Sequence, residues 1–174
     1  LKEGIRKEDR TGTGTIAIAG AMFEHDMAKG FPLLTTKKMP IKVVATELEF
    51  FIKGLTDKQW LKDRNCHIWD EWCNPKKVPY AHDAATKQKM ADERDLGAVY
   101  GFQWRHFGAN YTNYDTDYTN MGVDQLKILI EKIKSNPSDR RMIVMAWNPV
   151  MLSEMALPPC HYGFQATVID GRLN

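Results

Sequence analysis

The stretch Asp124-Gln-Leu-Lys-Ile-Leu-Ile-Glu-Lys-Ile-Lys-Ser-Asn-Pro-Ser-Asp-Arg-Arg-Met-Ile-Val-Met-Ala-Trp147 changes its period midway. Leu126, Leu129, Ile130 and Ile133 recur at helical spacing behind Asp124, and Asn136-Pro137 stops the run. From Arg141 to Trp147 the residues become β-rich, so a helix is followed at once by a strand. Downstream, His161 to Ile169 is a second strand candidate, and Asp170-Gly171 is a strong hairpin signal. The chain stops at Asn174, short of the ~5 residues usual for a returning strand, so this reading expects a fold truncated there.

Upstream, Thr15 to Phe23 reads as a strand broken at Gly30 to Pro32. Pro40 opens a helix on Ile41, Val44, Leu48, Phe51 and Ile52, with Gly54 as its stop. Glu47 falls on or near that apolar face, where a carboxylate is costly unless it is paired or needed. Thr56-Asp57 caps a short helix through Leu61, and the polar run from Cys73 to Asp95 reads as a surface insertion. No repeat or linker divides the chain, so residues 1–174 are expected to form a single domain.

Composition excludes several classes. With 43% hydrophobic and 26% charged residues among 174, the chain is of ordinary globular type, and its 12 glycines and 8 prolines follow no period. The longest uncharged run, Met155 to Ile169, contains Pro158, Pro159, His161 and Gln165 and is no membrane span. A net charge of +2 is too small for a broad basic face, so no obligatory nucleic acid is expected and any bound anion should be small. Cys66, Cys73 and Cys160 show no C-x-x-C spacing and no signal segment opens the chain, which fits a reducing, cytoplasmic setting.

Cys160 follows Leu157-Pro158-Pro159, so a stiffened backbone presents its thiol. Free cysteine is more often buried structure than nucleophile. Neighbours on a strand face opposite ways, so His161 is a poor base for Cys160, and nearby arginines are the expected source of thiolate. Arg140 and Arg141 stand between a turn and a strand, with at least one guanidinium expected in a cleft; two such forks suit a phosphate. The plainer reading is one solvated and one ion-paired arginine.

Arg10, leading Thr11-Gly-Thr-Gly-Thr15, is a third phosphate candidate, although the loop has neither a G-K-[ST] nor a third glycine. Trp69, Trp72, Tyr100 and Trp104 could stack on a flat heterocycle, although core packing is the commoner fate. Cys66, His67, Cys73 and His82 match no usual zinc spacing, and no metal is expected.

Taken together these blocks resemble thymidylate synthase along nearly the whole chain. They are Asp9-Arg-Thr-Gly-Thr-Gly-Thr15, Gly30-Phe-Pro-Leu-Leu-Thr-Thr-Lys-Lys38, Glu47 with Phe50-Phe51 and Gly54, Ile68-Trp-Asp-Glu-Trp72, Tyr100-Gly-Phe-Gln-Trp-Arg-His-Phe107, Asp139-Arg-Arg141, Ala146-Trp-Asn-Pro149 and Ala156-Leu-Pro-Pro-Cys-His161. The departures are Ala19, Glu24, Glu49 and Ala98, none of them at a position given a role.

The resemblance implies an α+β fold built on a large mixed β-sheet, dimerising through it, with roughly the last third of the family's chain absent. It implies reductive methylation of dUMP to dTMP with 5,10-methylenetetrahydrofolate as co-substrate. Cys160 is the implied nucleophile at C6 of the pyrimidine. Glu47 is the implied proton relay, Tyr100 the helper in loss of the C5 proton, and His161 a supporting residue. Arg10, with Arg140 and Arg141 from the partner subunit of a homodimer, would hold the phosphate, while Trp69, Trp72, Leu157 and Lys37 match folate positions. Two alternatives are a pyrimidine-nucleotide hydroxymethylase, in which water replaces hydride, and a truncated non-catalytic nucleotide-binding or dimerisation module.

Overall fold

The computed structural model describes residues 3–9 and 12–174, arranged as two units, 3–39 and 40–174. In the first unit, β1 (Ile5–Lys7) pairs antiparallel with β2 (Thr15–Ala17), Ile5 opposite Ala17. The expected strand through Phe23 ends at Ala17, where β1 runs out of partners, and residues 18–26 take no regular form. One 3-10 turn, Met27–Lys29, follows, capped by the Asp26 carboxylate on the Ala28 N–H.

The second unit starts with α1 (Ile41–Ile52). Gly54, at φ +74°, closes it: its N–H donates to Phe51 O and the Leu55 N–H to Phe50 O, the paired bonds of a left-handed glycine stop. Phe50 and Phe51 are buried, but Ile41, Val44, Leu48 and Ile52 stay exposed, so the periodic face is only partly core. Next come α2 (Lys58–Lys62), capped by Asp57 on the Gln59 N–H, and α3 (Ala84–Asp92), capped by Asp83 on the Thr86 N–H. The polar 73–95 run therefore holds a helix, and it buries Cys73, Asn74, Met90 and Asp95.

The fourth helix, α4 (Tyr100–His106), buries Tyr100 through Trp104 and packs against α1. Gly101 permits that approach, since a Cβ there would stand 2.8 Å from Leu55 O. Then α5 (Gln125–Ser135), capped by Asp124 and with Leu129 its buried residue, packs against α4 and against β3 (Ile143–Met145). Antiparallel to β3 runs β4 (Gly163–Gln165), Val144 opposite Phe164, and β5 (Val168–Ile169) pairs with β6 (Arg172–Leu173). Asp170 and Gly171, both at positive φ, make the hairpin turn read from the sequence.

The described residues thus mix helices and strands, as expected, but they form three two-stranded ladders rather than a large mixed sheet. Each strand is only two or three residues long, and no third strand pairs with β3 or β4 among the described residues, although the Gln125 amide bonds both backbone groups of Met145. No helix of the described residues is long and apolar enough to cross a membrane.

Candidate active site

One cavity of the 40–174 unit, about 290 Å³, is lined by Glu47, Phe51, Ile68, Trp69, Tyr100, Leu157, Pro158, Cys160 and His161. These residues come from α1, the 68–72 turn, the first residue of α4, and the Pro158-Pro159 segment before β4. Phe51 sits one helical turn after Glu47 and centres the aromatic wall. Its ring lies 4.6 Å from Tyr100 and within 6.3 Å of Trp69, Trp104 and His161. The sequence reading gave Phe51 no role, although its spacing from Glu47 places it on the same face.

Glu47 is half-buried and paired: the Trp69 indole N–H donates to its Oε1 at 2.7 Å. A carboxylate on the apolar side of α1 thereby has a fixed donor at one oxygen. Tyr100 is buried and its phenolic oxygen accepts the Cys160 backbone N–H at 2.6 Å, which ties the loop carrying the thiol to α4. Burial pushes the Tyr100 phenol above the usual tyrosine range, against the opposing pull of the N–H bond from Cys160, so it stays protonated at neutral pH.

Cys160 is exposed, whereas Cys66 and Cys73 are buried with thiols pushed up by burial. Chain position thus separates one accessible thiol from two that pack. His161 corrects the strand argument. Residues 160–162 are not in a strand, β4 beginning only at Gly163, so Cys160 and His161 line the same cavity rather than opposite faces. The imidazole stacks on Tyr100 with centroids 4.2 Å apart.

Other expected residues lie elsewhere. Trp72 lines a separate cleft of about 400 Å³ with Glu71, Tyr80, His82, Lys87 and Met90, its ring stacked on Tyr80 at 5.6 Å. Arg140 and Arg141 are both exposed in the turn before β3, which begins two residues later. Gln165 Nε2 donates to Arg140 O, and the Arg141 N–H donates to Asp139, whose carboxyl is held below its usual range by the Lys132 ammonium first and in part by the charge of Arg141. Lys37 is exposed in the 3–39 unit, and Arg10 lies outside the described residues. Among the described residues no three His, Cys, Asp or Glu side chains are grouped to hold a metal ion.

A family model described as thymidylate synthase matches residues 1–174. The bifunctional dihydrofolate reductase-thymidylate synthase of Leishmania major is 49% identical over 162 residues, 92% of this chain and 30% of that protein. The protein of the same name from Paramecium tetraurelia is 47% identical over 174 residues, 100% of this chain and 37% of its own length. That of Zea mays is 46% identical over 179 residues, again 100% of this chain and 32% of its own length. The chain spans about a third of the length of the curated relatives it matches.

Proposed function

The chain belongs to the thymidylate synthase family, and from that premise we propose that the protein carrying it methylates dUMP reductively to dTMP, with 5,10-methylenetetrahydrofolate as co-substrate. The observation that carries this reading is the single cavity in which Cys160, Glu47, Tyr100 and Trp69 meet from four separate segments. Cys160 Sγ adds to C6 of the uracil, and the electron pair displaced from the C5–C6 bond makes C5 a nucleophile. Folate supplies the one-carbon unit and the hydride that reduces it.

Glu47, oriented by Trp69, orders water and relays the proton that the pyrimidine carbonyl needs as charge builds there. Tyr100 orders the water that takes the C5 proton, and the S–C6 bond then breaks to release Cys160. The 2.6 Å bond from the Cys160 N–H to Tyr100 keeps nucleophile and phenol in register through both steps. Trp69 and Leu157 wall the folate side, with Trp72 in the neighbouring cleft, and the family resemblance adds Lys37 as a further folate candidate. His161 supports Tyr100 by stacking.

The exposed guanidiniums of Arg140 and Arg141 suit a phosphate bound across a homodimer interface, and the family resemblance adds Arg10 as a third candidate for it. The two-stranded β3–β4 ladder, with no third strand beside it among the described residues, suits enlargement into a larger sheet in the protein that carries this chain. A cytoplasmic location completes the proposal.

The test is release of tritium from C5 of labelled dUMP, together with dTMP formation, by the complete protein. Both are expected to require methylenetetrahydrofolate and to vanish in Cys160→Ser, because a serine hydroxyl ionises far less readily than a thiol and no imidazole is hydrogen-bonded to residue 160 among the described residues. Turnover of Cys160→Ser near the wild-type rate, or a hydroxymethyl product, would overturn the proposal.

A further inference from the structure

Lys58, the first residue of α2, is 1% exposed, and no carboxylate pairs with it among the described residues. Its ammonium donates to three backbone carbonyls instead: Asp70 O at 3.0 Å, Trp72 O at 2.9 Å and Met90 O at 2.6 Å. Three donors meet three acceptors, which is the full capacity of the group. An ammonium taken this far out of water is expensive, so the arrangement calls for a reason.

Helix capping accounts for part of it. Met90 lies in the last turn of α3, where carbonyls lack intrahelical partners and attract a cation. Lys62, one turn along α2, does the same for Ala91 O at 2.9 Å while remaining half-exposed. The cap can therefore be made from the surface. What Lys58 adds by being buried are its two bonds to the 70–72 backbone. That backbone carries Trp72, stacked on Tyr80, and follows Trp69, whose indole holds Glu47. Asp70 N–H and Trp72 N–H bond within the same turn, to His67 O and Trp69 O, while among the described residues no backbone N–H donates to Asp70 O or Trp72 O, which Lys58 takes.

We propose that Lys58 is a positioning residue for the folate side of the site: its ammonium fixes the Asp70–Trp72 backbone, and with it both tryptophans and the Trp69 contact to Glu47. This rests on the function proposed above. Lys58 touches no substrate, and its influence passes through the two indoles.

The experiment compares wild type, Lys58→Met, Lys58→Gln and Lys62→Met in the complete protein, reading KM for methylenetetrahydrofolate, KM for dUMP, and hydrogen exchange at the 69–72 amides. Lys58→Met should raise the folate KM about tenfold and leave the dUMP KM within about twofold, with faster 69–72 exchange. Lys58→Gln, which keeps two donors, should raise the folate KM about threefold. Lys62→Met should loosen only the 84–92 amides and leave both KM values alone.

Wild-type kinetics in Lys58→Met, equal rises in both KM values, or the same profile in Lys62→Met would overturn the proposal. Should Lys58→Met not fold, the contrast between Lys58→Gln and Lys62→Met decides. Absence of dTMP formation by wild type would count against the function, while the exchange comparison would still decide whether Lys58 holds the 69–72 turn.

Discussion

The cavity at Cys160 and the buried polar cluster around Lys58 and Asp95 flank the same Trp69–Trp72 turn, yet they treat polar groups in opposite ways. Around Lys58 and Asp95 burial is essentially complete and each charged group is held by three hydrogen bonds. Lys58 spends its three donors on carbonyls, and the Asp95 carboxylate, 0% exposed, accepts from the Tyr111 hydroxyl, from the Gly97 N–H at 2.7 Å and from Asn74 Nδ2 at 3.4 Å. In the cavity, Cys160 and His161 are exposed, against a wall of aromatic rings. Saturated polar groups hold shape; accessible ones beside apolar walls are free to meet a substrate. Sharing one turn, the first region can set the geometry of the second.

Substitutions should therefore separate the two regions by readout. Cys160→Ala is expected to cut turnover on the order of 10⁴-fold or more while leaving the unfolding midpoint of the complete protein unchanged, since the side chain is exposed. Asp95→Ala should do the reverse. It strands Tyr111, Gly97 and Asn74 without their acceptor, at a cost of about 3 kcal/mol in denaturant unfolding, and what remains folded should turn over normally. A large rate loss in Asp95→Ala at unchanged stability would erase the distinction.

Lys58 gives the comparison a pH dependence. Burial lowers its pKa from 10.5 to about 8; the Lys62 ammonium adds to the effect, and Cys73, Asp70 and Glu93 oppose it. Between pH 8 and 10.5 the unfolded chain keeps this proton and the folded chain gives it up, so the Lys58 contribution to stability rises with pH and is lost as pH falls back through 8. Wild type should gain on Lys58→Gln across that window, by at most about 3 kcal/mol. Unfolding midpoints at both ends measure the gap, and a gap independent of pH would mean that Lys58 stays charged throughout.

Legibility in the sequence followed the same divide. The helices α1, α2 and α5 could be read because each combines a cap or stop with a spacing: Pro40 and Gly54, Asp57, and Asp124 with Leu129. By contrast α4 has no polar face to set a period, being buried from Tyr100 to Trp104, and α3 hides in charge with Met90 its one buried residue. In the site, Cys160, Glu47 and Tyr100 were visible through the family blocks. That His161 shares their cavity was not, because a strand was assumed two residues too early. Lys58 was invisible for a different reason: in Lys58-Gln-Trp-Leu-Lys62 it looks solvated, and one of the carbonyls that encloses it stands 32 residues away.

The smallest effects test whether the two regions are coupled through Trp69. Glu47→Gln should slow turnover about 100-fold with little change in dUMP affinity, because it removes the relay but keeps the shape. Trp69→Phe keeps an aromatic wall and deletes only the indole N–H, so Glu47 loses its 2.7 Å donor and rotates more freely; a loss of about tenfold in rate is expected. If that loss arises because the indole orients the carboxylate, nothing remains for it to orient once the carboxylate is gone. The double variant should then be no slower than Glu47→Gln alone, a departure from additivity of about 1.4 kcal/mol in the mutant cycle. Full additivity would mean that Trp69 acts on folate alone and that the turn held by Lys58 reaches the chemistry by no route through Glu47.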